Sequence, residues 1–292
     1  MELSLFGFAL GIAASNVNCA LGPWYLYYHP ELFTQLLCNV HWVEILKFTS
    51  GLRKQNSFAV MVEQLTYFSQ LILPFSAKRS PFCVIGGDHS CAIATWSAVA
   101  VAQRSLGDIG LIWIDAHMDS HTPLTSISQN LHGMPVAHLL GEGLPELCNL
   151  LDSKVKIKPQ NLCLLGIRSY EPAEALLLNK LGVKVYFMQE IMQRGLLTVL
   201  KEAWDIVSQT TCGVGLSIDL DGIDPKDAPG VGNPEPNGIV GQELILALRN
   251  ILATAKLPLL GMEIAEYNPI NDVQHKTADL LINLIQTNQV AH

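Results

Sequence analysis

The chain has 292 residues, of which 49% are hydrophobic, so it can bury a large core in one or two domains. Its net charge is −8 with only 18 Lys and Arg residues, and this balance excludes the basic stripe or patch that a nucleic-acid-binding surface needs. The seven cysteines are odd in number and show no C-x-x-C spacing, which indicates reduced thiols in a cytoplasmic protein.

Short apolar runs, each bounded by Gly, Asp or Pro, predict the strands. The acidic residue Glu2 precedes the first run, where a signal peptide would carry positive charge, so we expect a core strand there. No run of about 20 apolar residues free of charges and turn formers occurs, and we therefore expect no membrane span. The predicted strands lie near residues 4–12, 81–86, 110–115, 160–166, 183–188, 213–219 and 258–265.

Segments with the helical spacing of apolar residues separate these strands. They cover residues 58–75, 90–104, 133–141, 171–181, 194–208, 240–254 and 275–287. Strands buried on both faces read as continuous apolar runs, and their alternation with helices is typical of a parallel α/β sheet. No linker, charge block or internal repeat interrupts the chain. We therefore predict a single α/β domain over residues 1–292.

Polar and mostly acidic side chains follow four of the predicted strands. They are His89, Asp115, His117, Asp119, Asp219, Asp221 and Glu266. Ligands of open parallel sheets bind outside the carboxyl ends of the strands, so we expect these side chains to lie at one edge of the sheet. Residues two and four positions apart in an extended chain project to one face, which lets the side chains within each segment converge.

Four of these side chains are aspartates, and their charges require compensation. Two carboxylates about 4 Å apart repel each other by roughly 4 kcal/mol at an effective dielectric constant of 20. This repulsion raises the carboxylate pKa values unless a positive charge lies between the groups. Carboxylates with a few imidazoles and no thiolates suit Mn²⁺ better than Zn²⁺, although affinity alone does not exclude zinc, cobalt or iron. We predict a two-metal site with manganese.

Three segments together resemble the metal signatures of the ureohydrolase family, which includes arginase, agmatinase and formimidoylglutamase. They are Gly86-Gly-Asp-His-Ser90, Asp115-Ala-His-Met-Asp119 and Ser217-Ile-Asp-Leu-Asp-Gly-Ile-Asp-Pro225. The similarity runs from about residue 80 to the end and is closest to arginase. It implies a three-layer α-β-α sandwich with a mostly parallel central sheet, a small-molecule guanidino substrate, and a homo-oligomer that is a trimer or a hexamer.

The resemblance also implies which side chains bind the two Mn²⁺ ions. The first ion would be surrounded by His89, Asp115, Asp119 and Asp219. The second would be surrounded by Asp115, His117, Asp219 and Asp221. A water between two divalent ions loses a proton near neutral pH and can then attack a guanidinium carbon. Asp119 would accept a hydrogen bond from this water, and Glu266 would pair with the guanidinium.

The segment 124–133 resembles the loop by which arginases bind the amino-acid end of their substrate. The resemblance implies that Ser128 and Asn130 contact the α-carboxylate, and that His132 shuttles protons to the leaving amine. Glu171 and Glu174 stand where arginases place acidic residues near the α-amino group. These positions favour an α-amino acid substrate over agmatine.

Three positions depart from the arginase pattern, and the first is Glu171, where an aspartate is usual. His121 stands where arginases commonly use Asn to contact the carboxylate, and Asn233 stands where a Thr is expected near the guanidinium. Hydrolysis of L-arginine to L-ornithine and urea is the leading hypothesis. The alternatives are a related amidinohydrolase that acts on agmatine, a guanidino acid or formimidoylglutamate, and a non-catalytic metal-binding amino-acid sensor.

Overall fold

Eight parallel strands form the centre of the protein in this computed structural model, which describes residues 2–14, 16–47 and 57–288. The strands are β1 (Glu2–Ala9), β2 (Asn39–Lys47), β3 (Phe82–Gly86), β4 (Asp108–Ile114), β5 (Leu162–Ile167), β6 (Lys184–Phe187), β7 (Thr211–Asp219) and β8 (Leu259–Ala265). They lie in one sheet in the order β2-β1-β3-β8-β7-β4-β5-β6. Every neighbouring pair is parallel.

Helices cover both faces of this sheet. They are α1 (Gly22–Tyr28), α2 (Ser57–Ala77), α3 (Cys91–Gln103), α4 (Pro135–Leu139), α5 (Pro145–Cys148), α6 (Pro172–Leu181), α7 (Met188–Arg194), α8 (Leu196–Ser208), α9 (Gly241–Thr254) and α10 (Lys276–Thr287). Within the described ranges, none of the helices combines the length and the apolar character that a membrane span requires.

Two hydrophobic cores, one on each face, hold the three layers together. Successive residues of a strand point to opposite faces of the sheet. Accordingly, Leu111 and Trp113 of β4 pack in the core with residues of α2 and α3, whereas Ile112 and Ile114 pack in the other core with residues of α8, α9 and α10. The predicted three-layer α-β-α sandwich is confirmed, and the sheet is entirely parallel.

The prediction of seven strands missed β2. This strand pairs only with β1 and forms one edge of the sheet, and Leu46 is its one buried residue among the described positions. Because one side of an edge strand faces solvent, its residues mix polar and apolar types, and the continuous apolar run that marks the central strands is absent. Helices α1, α5 and α7 were also not predicted, since they have only 7, 4 and 7 residues and are too short to show a clear helical spacing of apolar residues.

Candidate metal centre and substrate cavity

Four adjacent strands end at the predicted site. In the sheet order β3-β8-β7-β4, His89 follows β3, Glu266 follows β8, Asp219 ends β7, and Asp115 follows β4. Neighbouring strands lie about 4.8 Å apart, so their carboxyl ends form one compact edge. The insertion of β8 and β7 between β3 and β4 therefore brings together side chains that are far apart along the chain.

Three buried side chains form the first group of candidate metal ligands. One ligand atom from each of His89, Asp115 and Asp219 lies within 4.8 Å of the other two. Nδ1 of His89 lies 3.2 Å from Oδ2 of Asp115 and 3.1 Å from Oδ2 of Asp219. The same nitrogen lies 3.2 Å from Oδ2 of Asp119. These short contacts do not have the geometry of hydrogen bonds, so within the described residues neither this nitrogen nor Oδ2 of Asp119 has a hydrogen-bond partner. Such atoms at the centre of a buried carboxylate cluster fit a bound cation.

A second group shares Asp115 with the first. It consists of Asp115, His117 and Asp221, whose ligand atoms also lie within 4.8 Å of one another. Nδ1 of His117 lies 3.5 Å from Oδ1 of Asp115 and 3.2 Å from Oδ2 of Asp221. The shared carboxylate has two oxygens, one facing each group, and this geometry suits a residue that bridges two cations.

Short local hydrogen bonds explain how each segment turns its side chains toward the site. Oδ1 of Asp115 accepts a bond from the backbone N–H of His117 (2.7 Å), and Oδ1 of Asp219 accepts one from the backbone N–H of Asp221 (2.8 Å). An aspartate that accepts a bond from the residue two positions later forms a tight turn at a strand end. The Asp-x-His and Asp-x-Asp spacings therefore determine the local geometry.

The electrostatics of the cluster oppose ionisation of Asp119, Asp219 and Asp221. Despite its burial, Asp115 has a lowered pKa because of the neighbouring His117 and His89. Burial, followed by the charges of Asp221 and Asp115, raises the pKa of Asp219 well above its ordinary value. Burial, followed by the charge of Asp115, raises the pKa of Asp119 to about 7. Divalent cations would favour the ionised forms and offset this cost. The oxygen-rich donor set is of the kind that such cations prefer.

Two site residues adopt a backbone conformation that is rare for residues other than glycine. Asp119 has φ of 47° and Glu266 has φ of 66°. Left-handed backbone of this kind costs of order 1–3 kcal/mol at a non-glycine residue and occurs often at functional sites. Surrounding contacts hold Glu266 in place, because its backbone N–H donates to the carbonyl of Gly87 (2.8 Å) and its Oε1 accepts from the backbone N–H of His89 (3.0 Å).

Three side chains behind His89 were given no role by the sequence analysis. Nε2 of His89 lies 3.0 Å from Oγ of Ser217, and this hydroxyl donates to Oε1 of Glu263 at 2.9 Å. Since the single hydroxyl proton goes to Glu263, the serine oxygen accepts from Nε2 of His89. With a cation bound between the carboxylates, a neutral His89 would present its Nδ1 lone pair to that ion.

Trp113 completes this outer layer. Its ring stacks on His89 at a centroid distance of 4.2 Å, and its Nε1 donates to Oδ2 of Asp115 at 2.9 Å. A signal for these contacts existed in the sequence, because Trp113 and Ser217 each lie two positions before a ligand and share its face of the strand. Glu263, a charged residue inside an apolar strand, was a second signal.

A cavity of about 520 Å³ opens above the two groups. Most of the predicted substrate residues line it, namely His121, Ser128, His132, Glu171, Glu174, Asn233 and Glu266. Asn130 is not part of the wall formed by the described residues, and its backbone N–H donates to Oγ of Ser128 at 3.2 Å. The structure thus brings together every predicted substrate residue except Asn130. Contact between Asn130 and the α-carboxylate of the substrate stays a prediction.

The first turn of α6 forms the acidic side of this cavity. Glu171 precedes Pro172 at the start of the helix, and Oε2 of Glu174 accepts from the backbone N–H of Glu171 at 2.9 Å. Oε1 of Glu174 accepts from the backbone N–H of Ser120 at 3.1 Å, next to the metal segment. Nε2 of His121 lies 3.4 Å from Glu174 and 3.7 Å from Glu171. Glu174 therefore ties the helix to the site, while Glu171 is more exposed and faces the opening.

His132 lies on the opposite side, beside Glu266. Its Nδ1 lies 3.4 Å from Oε1 of Glu266. Burial alone would lower the pKa of His132, but the hydrogen bond and charge of Glu266, together with the charges of Asp119 and Asp88, raise this pKa to about 9. These contacts favour the protonated imidazolium, the form that can give a proton to a group in the cavity.

Comparisons with proteins of similar sequence and similar structure identify the family. The family model "Arginase family" matches residues 21–289. An arginase of Bacillus caldovelox is 43% identical over 202 residues, which are 69% of this chain and 66% of that protein. An arginase of Bacillus subtilis (strain 168) is 39% identical over 244 residues, which are 84% of this chain and 79% of that protein. A crystal structure of arginase from Bacillus subtilis matches with a TM-score of 0.87 and 33% identity over 99% of this chain and 98% of that chain. The chain belongs to the arginase family.

Proposed function

We propose that this protein hydrolyses L-arginine to L-ornithine and urea with two Mn²⁺ ions per chain. As a member of the arginase family, the chain is a hydrolase that cleaves the guanidino C–N bond at a binuclear metal centre. The proposal rests on one observation. Two groups of candidate ligands share Asp115, and they lie beneath a cavity that many polar side chains line.

The proposed ligands are the residues at the four strand ends. His89, Asp115, Asp119 and Asp219 would hold one ion. Asp115, His117, Asp219 and Asp221 would hold the other. When bound, two divalent ions lower the pKa of a water between them and so supply a nucleophile near neutral pH. The unpartnered Nδ1 of His89 and Oδ2 of Asp119 support this assignment.

Protein side chains would orient the reactants and move the protons. Asp119 accepts a hydrogen bond from the attacking water, and Glu266 pairs with the planar guanidinium, whose N–H groups suit a carboxylate. His132, whose contact with Glu266 favours the imidazolium, donates its proton to the leaving amine. The 3.4 Å contact between His132 and Glu266 supports this proposal, because a proton donor must lie close to the guanidinium that Glu266 is proposed to bind.

The remaining cavity residues would select the amino-acid end of the substrate. Ser128, Asn130 and His121 are proposed to bind the α-carboxylate. Glu171 and Glu174 are proposed to attract the α-amino group, and Asn233 to lie near the guanidinium. The two glutamates would supply negative charge for the α-amino group, and the polar side chains would supply hydrogen bonds for the α-carboxylate.

A product assay with metal analysis tests the proposed function. The protein is loaded with Mn²⁺, its metal content is measured, and urea release is followed with arginine, agmatine and guanidino acids, with formamide release followed for formimidoylglutamate. We expect two metals per chain and the highest kcat/KM with L-arginine. Activity confined to agmatine would contradict the proposed roles of Ser128, Asn130 and Glu171. Arginine binding without turnover would favour the amino-acid sensor.

We further propose that residues 1–292 form one domain that works in the cytoplasm as a homo-oligomer, a trimer or a hexamer. The single continuous sheet supports the one-domain organisation, and the odd number of cysteines without C-x-x-C spacing supports the location. Sedimentation at several protein concentrations measures the subunit number, and a stable monomer would contradict the oligomer.

A further inference from the structure

Arg168, the first residue after β5, makes five hydrogen bonds, and every acceptor is a backbone carbonyl oxygen. Nη1 and Nη2 each make two of these bonds, and Nε makes one. The acceptors are the carbonyl oxygens of Gly166 (3.1 Å), Asp221 (2.7 Å), Gly222 (3.1 Å), Glu235 (2.8 Å) and Pro236 (3.0 Å). A guanidinium has five N–H donors, so this side chain has none left for a substrate or a carboxylate.

These five carbonyls belong to separate parts of the active-site edge. One lies at the end of β5, two lie in the turn after β7 that carries the candidate ligand Asp221, and two lie in the 229–238 loop. Gly238 of this loop packs directly on Arg168, since a Cβ added there would lie 2.6 Å from Nη2. The guanidinium thus fastens the 229–238 loop to the turn after β7.

The 229–238 loop in turn reaches the outer nitrogen of a candidate ligand. Oε1 of Glu235 lies 3.7 Å from Nε2 of His117, while Nδ1 of His117 faces Asp115 and Asp221. A carboxylate at the outer nitrogen of a metal-binding histidine orients the ring and raises the basicity of the ligating nitrogen. Glu235 can do this only while its backbone is held in place, and Arg168 bonds to its carbonyl.

We propose that Arg168 is a positioning residue for the second metal site, the one assigned to Asp115, His117, Asp219 and Asp221, because it fastens the Asp221 turn to the loop that carries Glu235. The inference rests on the proposed two-metal function. It assigns no contact between Arg168 and the substrate or the ions. Arg168 acts mainly through Asp221 and His117, which the first site does not share, since its bonds reach the Asp221 turn and the Glu235 loop and none reaches His89.

Arg168→Lys tests this role because it keeps the positive charge and removes the planar fork. A lysine has three donors on one nitrogen and cannot reach five carbonyls spread over three segments. We expect the Mn²⁺ dissociation constant of the second site to rise about 10- to 100-fold, as on loss of other outer partners of metal ligands, with the first site unchanged. Titration calorimetry and metal content after dialysis measure both sites, and His117→Ala identifies which binding step belongs to the second site.

Arg104→Lys is the matched control. Arg104 is also partly buried and also pins a loop, through Asp152 and the carbonyl of Val155, but it contacts none of the candidate ligands. Its substitution should leave both dissociation constants unchanged. If Arg168→Lys binds two ions as tightly as the unaltered protein, or weakens both sites equally, the inference is wrong. If the unaltered protein itself binds fewer than two ions, the proposed function fails and the inference fails with it.

Glu235→Gln provides a second test that does not depend on how well the Arg168 variant folds. The side chain of Glu235 is partly exposed, so the substitution leaves the core intact. It removes the negative charge that lies beside Nε2 of His117. Like Arg168→Lys, it should weaken Mn²⁺ binding at the second site alone. An unchanged second-site dissociation constant in Glu235→Gln would overturn the inference, because the fastened loop would then have no effect on His117.

Discussion

His117 approaches the metal centre from the cavity, whereas His89 lies beneath it. The side chain of His117 is 25% exposed and that of His89 is 1% exposed. We expect His117→Ala to reduce the metal content from two ions to one and to lower kcat/KM by more than about 100-fold, because a lost ligand costs more than a lost outer partner. Elemental analysis and urea release measure these effects.

The fold should survive this substitution, because little apolar surface is lost at a partly exposed position. His41→Ala, at an exposed position of β2, is the control and should keep both metals and full activity. Two ions retained as tightly in His117→Ala as in the unaltered protein would contradict the ligand assignment.

His132 differs from the ligands because its proposed role is proton donation. His132→Gln should lower kcat by about 10²- to 10⁴-fold, the usual contribution of a positioned acid or base. The metal content should stay at two ions, since His132 belongs to neither ligand group. Steady-state kinetics and elemental analysis on the same sample separate these effects, and an unchanged kcat would remove the proton-donor role.

At the scale of single elements, α6 is joined to the site through one buried carboxylate. Glu174 is 5% exposed and accepts from the backbone N–H groups of Glu171 and Ser120, one on each oxygen. In Glu174→Gln the amide retains only one acceptor oxygen, so one buried N–H loses its partner. We expect the free energy of unfolding to fall by about 1–3 kcal/mol, measured by urea denaturation.

Glu243→Gln is the matched control for this prediction. Glu243 lies in the first turn of α9 and is exposed, so its loss removes a favourable charge near a helix N-terminus but no buried hydrogen bond. If both substitutions lower the unfolding free energy equally, the buried bonds of Glu174 contribute nothing beyond the helix dipole.

At the scale of the whole molecule, a buried histidine makes stability depend on pH. His138 is 1% exposed, its Nδ1 lies 2.8 Å from the carbonyl oxygen of Met134, and within the described residues its Nε2 has no partner. Burial lowers the pKa of His138 below its ordinary value of 6.5. The unfolded chain therefore binds a proton at pH values where the folded chain does not, and stability is lost as the pH falls below 6.5.

Urea unfolding of the unaltered protein and His138→Gln at several pH values measures this contribution. Between pH 6.5 and pH 5, the unfolding free energy of the unaltered protein should decrease more steeply than that of His138→Gln. The difference in slope should be at most about 1.4 kcal/mol for each pH unit. Both proteins contain the same metal centre, so its titration cancels in the comparison. If the unfolding free energies of both proteins change equally with pH, His138 does not contribute to the pH dependence of stability.

Local sequence spacing predicted much of the site. The Asp-x-His and Asp-x-Asp patterns work because each aspartate bonds the backbone N–H two residues later, a contact that needs no other part of the fold. Ser217 and Glu263 were missed because their bond joins two strands, and the pairing of β7 with β8 is not encoded in either strand alone.

The sequence by itself determined the α/β class, the central strands and the candidate metal ligands, because hydrophobic periodicity and short-range turns are local properties. The tertiary structure alone decided that β8 and β7 lie between β3 and β4, that β2 completes an edge of the sheet, and that Arg168 joins three segments. These features depend on contacts between distant parts of the chain, and such contacts form only when the strands assemble around two cores.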